Sequence, residues 1–294
     1  MVLSVLSGLL LASAPTTPIV VAADGVLCDI TRTLAGKSAK VECLIRPGAD
    51  PHTLALRPTD RRALQQARLV LINGYNLTPA LKRIATSAPV VAVAERAVPK
   101  ASTADPHVWH DPNQTSAMVA TAAQALTPIV SPQERAAINR RRVAMTNVLQ
   151  ALQQWTGRQI ESVPKPQRVL VTEHRAFSAF GRRYGVRELP VIDSYATGGI
   201  LRPASLRAIT DAIRQSGSKA IFAEALPPSK TLRRISRSSG LPIAKQALFA
   251  DGQAPGKSLI QTATSNVCTF VLAQGGRCNQ QAAAELQTRW AAIR

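Results

Sequence analysis

The sequence predicts an α/β protein of two lobes, each a parallel sheet flanked by helices, joined by one long rigid helix. Three observations carry this. Short apolar, β-branched runs alternate with amphipathic stretches of helical period, the pattern of parallel strands covered by crossover helices. That rhythm stops at Ser131 and resumes after Pro166. At the break, Ser131-Pro132-Gln133-Glu134 supplies an N-cap serine, a proline at the first helical position and a glutamate that completes a capping box. No proline follows until Pro164, which allows a helix of roughly thirty residues, about 45 Å long at about 1.5 Å per residue. Such a helix is too long for an ordinary crossover and reads as a rod between lobes. The predicted division is a signal segment at 1–14, an N-terminal lobe at 15–130, the linking helix at 131–163 and a C-terminal lobe at 164–294.

The first stretch, up to Ala14, is apolar, and no charged side chain appears before Asp24. Its length suits a signal peptide and is too short for a spanning helix, and Ala12-Ser13-Ala14 offers a small-residue cleavage site, so export is expected. Residues 19–24 then read as a strand. Val26, Leu27, Ile30 and Leu34 fall on one helical face that stops near Gly36. Strands are expected at 39–45, 68–72 and 90–94, separated by helical stretches at 59–67 and 78–87. Ile138, Met145, Val148, Leu149, Leu152 and Trp155 give the linking helix its apolar stripe. Beyond it, 168–172 is a strand, a helix runs through Phe177 and Phe180, and 189–193, 219–223 and 242–248 are further strands.

The chain has 294 residues, 46% of them hydrophobic, enough for a large core. Its 36 basic side chains against 17 acidic ones give a formal charge of +19, which favours anionic partners. The basic residues are scattered, and Arg140-Arg141-Arg142 reads as a solvated helix face. With 4% aromatic residues and no run that interleaves aromatic with basic side chains, nothing resembles a nucleic-acid reading motif, so no nucleic acid is expected as partner. Cys28, Cys43, Cys268 and Cys278 lack the close spacing of a zinc knuckle. Disulfides 28–43 and 268–278 are the natural pairing among three connectivities, and they fit export.

The chain has only four histidines, and each lies just beyond a predicted strand: His52, His107, His110 and His174. Glu224 and Asp251 lie in the same kind of place. In open parallel sheets the carboxyl ends of strands face the ligand crevice, so two facing lobes would turn these groups toward one cleft. Three imidazoles and one carboxylate make a tetrahedral set suited to Zn(II).

The ordered motifs DPHT (51–53 with Asp50), NGYNL (73–77), DPHVWHDP (105–112), the long helix, TEHRAFSAFGRRYGV (172–186), IFAE (221–224) and LFADG (248–252) carry a family resemblance. The chain resembles the metal-binding receptors of bacterial ABC uptake systems for zinc and manganese, the cluster A-I solute-binding proteins. The resemblance implies a periplasmic, monomeric receptor without catalytic activity. It would capture a divalent ion, Zn(II) or alternatively Mn(II), and deliver it to an ABC permease. It puts the metal ligands at His52, His107, His174 and Asp251, with His at the third position, where manganese-type members often carry Glu. His110 is expected to line the cleft, Glu224 to accept a hydrogen bond from a ligand imidazole, Glu173 to point away and Trp109 to pack beneath. The sequence departs from the family in three places. The 97–105 stretch is short and free of histidine, 200–205 carries Arg202 where an acidic segment is usual, and no lipobox cysteine follows the apolar start. The rival reading, a zinc-dependent hydrolase, needs an open coordination position that Asp251 would close.

Overall fold

The computed structural model describes residues 17–99, 105–194, 197 and 203–293. The expected signal segment at 1–14 and Arg202 lie outside the described residues. The first lobe contains β1 (Ile19–Ala22), α1 (Gly25–Ala35), β2 (Lys40–Cys43), α2 (Pro58–Gln66), β3 (Leu69–Ile72), β4 (Val90–Ala92), α3 (Val93–Ala97) and α4 (Pro112–Leu126). Its four strands are parallel in the order β2-β1-β3-β4, with Val20 opposite both Val41 and Leu69 and Val70 opposite Val90. α5 (Pro132–Glu161) follows as an unbroken helix of 30 residues. The second lobe contains β5 (Val169–His174), α6 (Ser178–Tyr184), β6 (Arg187–Ile192), α7 (Pro203–Arg214), α8 (Lys230–Ser239), α9 (Leu259–Ala273) and α10 (Gln280–Ala291). β5 and β6 pair in parallel, and single bridges Val171–Ile221 and Ile221–Ile243 continue the layer. Among the described residues no helix is long and apolar enough to cross a membrane.

Local chemistry sets the helix ends. Asp24 accepts from the Leu27 amide at 2.9 Å and starts α1, a cap that contributes about 1 kcal/mol. Gly36, at φ +56°, ends it in a conformation that a Cβ would strain. Ser131 caps α5 through the Glu134 amide. α5 packs against α1 and α4 on one side and α9 and α10 on the other. Its buried Ile138, Met145, Leu149, Leu152 and Trp155 lie in one core cluster that runs through both lobes. Smaller clusters cover the outer faces of the two sheets. Cys28–Cys43 ties α1 to β2, and Cys268–Cys278 ties α9 to the segment before α10, with Cα separations of 5.8 and 5.3 Å.

Several expectations need correction. The helix expected at 78–87 is a single 3-10 turn, Pro79–Leu81, because Thr86 leaves the helical path to donate to the Leu64 carbonyl. The strand expected at 90–94 stops at Ala92, where α3 begins and the Ala94 amide turns to Asn73 O. The strands expected at 219–223 and 242–248 shrink to the bridge residues Ile221 and Ile243. At the start of the first run the buried Gln274 side chain donates to Val169 O and accepts from Lys219 N, so a side-chain amide stands in for the ladder at that end, while Phe222 N still bonds Val171 O. Arg141 is not a solvated face residue. It is partly buried, and its guanidinium donates to Leu34 O and Ala35 O at the open end of α1.

Candidate metal centre

Four side chains expected at the cleft meet at one point. His52 stands on a 3-10 turn, Pro51–Thr53, beyond β2. His107 precedes the turn Val108–His110 that leads into α4. His174 is the last residue of β5, one step inside the strand rather than beyond it. Asp251 lies on the loop between Ile243 and α9. One oxygen, Asp251 Oδ1, is 3.2 Å from His52 Nε2, 3.1 Å from His107 Nε2 and 3.2 Å from His174 Nε2. The four candidate ligand atoms all lie within 4.8 Å of one another. The three imidazoles are nearly or wholly buried, while Asp251 keeps 15% of its side-chain exposure and marks the solvent side.

Carboxylates behind the rings fix their tautomers. His107 Nδ1–H donates to Asp105 Oδ1 at 3.0 Å, and the same oxygen accepts the His107 amide. His174 Nδ1–H donates to Glu224 Oε2 at 2.6 Å, while Glu224 Oε1 accepts the amides of Glu173 and His174. With Nδ1 committed to these carboxylates, each Nε2 faces the centre, where it donates to Asp251 while protonated and offers a lone pair once that proton is displaced. Asp50 Oδ1 accepts the His52 amide at 2.8 Å, and its Oδ2 accepts Thr197 Oγ1–H at 2.6 Å from the other lobe. Asn266 pins the loop before Asp251 by bonding both the amide and the carbonyl of Phe249.

The other expected residues lie around this centre. His110 does not join it: Nε2–H donates to Ala250 O at 2.8 Å, and the ring stacks on Phe177. Burial pushes His110 down to about 4, which keeps it neutral. Glu173 turns toward Ser229 and the Glu224 amide. Trp109 packs edge-on to His107. Arg183 of α6 pairs with Asp111, the N-cap of α4, at 2.9 Å, and so closes the two lobes behind the site.

Charge is concentrated here. Burial alone would raise the Asp251 carboxyl, but hydrogen bonds from His107, His174 and His52 hold it well below the ordinary range. Burial would lower His174, but Asp251 and Glu224 raise it to about 10; His107 is raised in the same way by Asp105 and Asp251. Burial raises Glu224. A cavity of about 200 Å³ opens beside the centre, lined by Asp50, Glu173, Glu224 and Asp251 and, among the described residues, by no lysine or arginine. In this state protons take up the negative charge, so an arriving cation must displace them.

Sequence reasoning assigned no role to Asp50, Asp105 or Thr197. The signal for two of them was present: the tripeptide Asp-Pro-His occurs at both 50–52 and 105–107. In both copies the Asp carboxylate accepts the amide of the histidine two residues on.

Comparison with known proteins bears on the family and the fold. Residues 20–273 match the family model described as "ZnuA: Zinc-uptake complex component A periplasmic". The manganese-binding lipoprotein MntA of Bacillus subtilis (strain 168) is 29% identical over 229 residues, covering 74% of each chain. The zinc-binding protein TroA of Treponema pallidum (strain Nichols) is 29% identical over 234 residues, covering 76% of this chain and 75% of TroA. The solved structure of TroA superposes with a TM-score of 0.82 at 26% identity, covering 89% of this chain and all of that one. The chain therefore belongs to the ZnuA family, the metal-binding periplasmic receptors of ABC uptake systems.

Proposed function

We propose that this receptor carries Zn(II), held by His52 Nε2, His107 Nε2, His174 Nε2 and Asp251, and hands it to an ABC permease. The carrying observation is the single Asp251 oxygen set 3.1–3.2 Å from three imidazole nitrogens. Ligand atoms about 2.0–2.1 Å from a tetrahedral ion stand about 3.3–3.4 Å apart; the Asp251 oxygen already stands at nearly that distance from each imidazole, and all four atoms lie within 4.8 Å of one another. Three nitrogens and one oxygen suit zinc better than manganese, which favours oxygen-rich octahedral sites. Manganese remains the second reading, favoured by the likeness to a manganese-binding relative.

Each proposed lobe, 15–130 and 164–294, supplies two ligands, so the ion ties the lobes of one monomer together. All four positions of a tetrahedral zinc are then filled by protein. No position is left for the water that a hydrolase needs, which supports a carrier. The test is chelator stripping followed by competition titration with Zn(II) and Mn(II), with wild type beside His174→Ala. One tightly bound zinc per chain, poorly displaced by manganese and weakened by the substitution, is expected. Preference for manganese overturns the cargo, and absence of stoichiometric metal overturns the site.

A further inference from the structure

The carboxylates are unevenly shared along the chain. From Ala225 to Ala250 there is none, and that stretch holds Lys230, Arg233, Arg234, Arg237 and Lys245. Four of these stand on α8 at positions i, i+3, i+4 and i+7, which is one helical face. Leu232 and Ile235 on the opposite face are buried in the outer core of the second lobe. α7 packs beside α8, and Arg214 of α7 donates to Ser238 O at the end of α8. Arg207 lies seven residues before Arg214, on the same side of α7. All of these cations are exposed. Among the described residues Arg214 pairs with Asp211, while no ion pair is formed by Arg207, Lys230, Arg233, Arg234, Arg237 or Lys245.

Unpaired like charges on two packed helices repel one another. An exposed apolar tip adjoins them. Ala225, Leu226 and Pro227 face solvent just before α8, with Leu226 54% exposed. Long cations beside an apolar tip match the headgroup and boundary layers of an anionic bilayer. An acidic protein face would satisfy the cations and leave Leu226 unexplained. Leu226 lies two residues beyond Glu224, whose carboxylate holds His174, so a membrane on this face would lie beside the cleft.

We propose that the α7–α8 face, with Leu226, is a docking surface for an anionic lipid bilayer. The proposal rests on the receptor reading only for its purpose, which is to keep a loaded carrier on the membrane that holds its permease. The test is co-sedimentation of the metal-loaded full chain with phosphatidylcholine vesicles, with and without phosphatidylglycerol. Binding is expected only with phosphatidylglycerol, falling as salt rises. The triple variant Arg233→Glu, Arg234→Glu, Arg237→Glu should bind at least about tenfold more weakly. Arg61→Glu, Arg62→Glu, Lys82→Glu, an equal charge change on the exposed surface of the first lobe, should change it less than about twofold. Equal losses in the two variants would assign the effect to net charge and overturn the proposal, as would equal binding, or none, to the two vesicle types. A Leu226→Trp chain should be quenched by nitroxide-labelled lipid, and an unquenched indole overturns the bilayer orientation. Tighter binding to polyglutamate than to the vesicles assigns the face to an acidic protein and also overturns it. Zinc affinity measured on the same variants separates the two readings. Lost vesicle binding with intact zinc binding sinks only this proposal, and lost zinc binding in the wild type sinks only the cargo.

Discussion

Replacing Glu224 by Gln isolates how a carboxylate would prepare His174 for the ligand role proposed for it. Glu224 Oε2 accepts from His174 Nδ1–H at 2.6 Å, and Oε1 takes two backbone amides at 3.0 and 3.1 Å. Gln keeps an oxygen for the amides but turns an NH₂ group toward Nδ1. That favours the other tautomer, in which Nδ1 accepts and Nε2 carries the hydrogen, so the lone pair leaves the cleft. Losing a hydrogen bond to a charged group costs about 1.5–3 kcal/mol. At about 1.4 kcal/mol per decade, zinc affinity should fall roughly 10- to 100-fold. Competition against a chromophoric chelator at neutral pH reads the affinity, and nitrogen NMR of the imidazoles reads the tautomer. Glu224→Ala removes the acceptor without imposing a tautomer and should lose less than Gln. Glu173→Gln, whose side chain faces Ser229, should stay near wild type. Wild-type affinity in Glu224→Gln, or Nδ1–H retained on His174, would refute the reasoning.

The remaining predictions concern protons, a cap and the strap between lobes. Because carboxylates hold His107 and His174 above the ordinary imidazole range, His174 to about 10, the metal-free site is protonated at neutral pH. Stability from the His174 proton is complete below about 6.5 and is lost as pH rises through about 10, so zinc affinity should climb over the same window. Calorimetry in buffers of different ionisation heat should show at least one proton released per zinc at neutral pH, and no release would sink the protonated-site account. Burial raises Asp24 to about 6, with hydrogen bonds from the Leu27 and Val26 amides opposing it. A raised carboxyl destabilises the fold once ionised, by about 3 kcal/mol above pH ~6, and this loss disappears as pH falls toward ~4. Asp24→Asn keeps an N-cap acceptor and should remove that dependence; parallel pH profiles for the two proteins in urea unfolding would show the assignment to be wrong. Asp50→Ala frees both the His52 turn and Thr197, and should weaken zinc roughly tenfold. Thr197→Val cuts only the bond between lobes and should weaken it less; equal losses would show that the turn cap is irrelevant.

What could be read in the sequence was whatever local chemistry decides. The linking helix was legible in start and length because Ser131 caps it and Pro132 opens it, although the Glu134 side chain accepts from Ser38 instead of closing the expected capping box. α4 begins with the same grammar, Asp111 before Pro112, directly behind the motif that holds His107 and His110. The four histidines pointed to the cleft because chain direction alone puts strand ends on one side of a parallel sheet. Asp50 and Asp105 were visible as a repeated tripeptide, but their roles depend on the turn that brings each carboxylate back to the histidine amide. Nothing local could reveal Gln274. It sits 55 residues beyond Lys219 and 105 beyond Val169, and its side chain takes up backbone groups of both at one end of the second sheet. Arg141 is the same kind of case. Its neighbours look solvated, but the α1 carbonyls 106 and 107 residues earlier claim it.

The +19 charge and a cationic cargo would seem to conflict, and distance resolves the conflict. Exposed charges are screened over about 8–10 Å at physiological salt, so α7 and α8 act strongly only on what touches them. Buried charges are screened much less. Of the 17 carboxylates in the chain, Asp50, Asp105, Glu173, Glu224 and Asp251 gather within one or two contacts of the three imidazoles. A dication that displaces the imidazole protons therefore meets dense negative charge at close quarters in a weakly screening surround, while the repulsion of the outer surface fades over a few water layers. The same separation lets one molecule present cations to an anionic surface and carboxylates to a metal. Each group acts at the range its own burial allows, and neither needs the other to be neutralised.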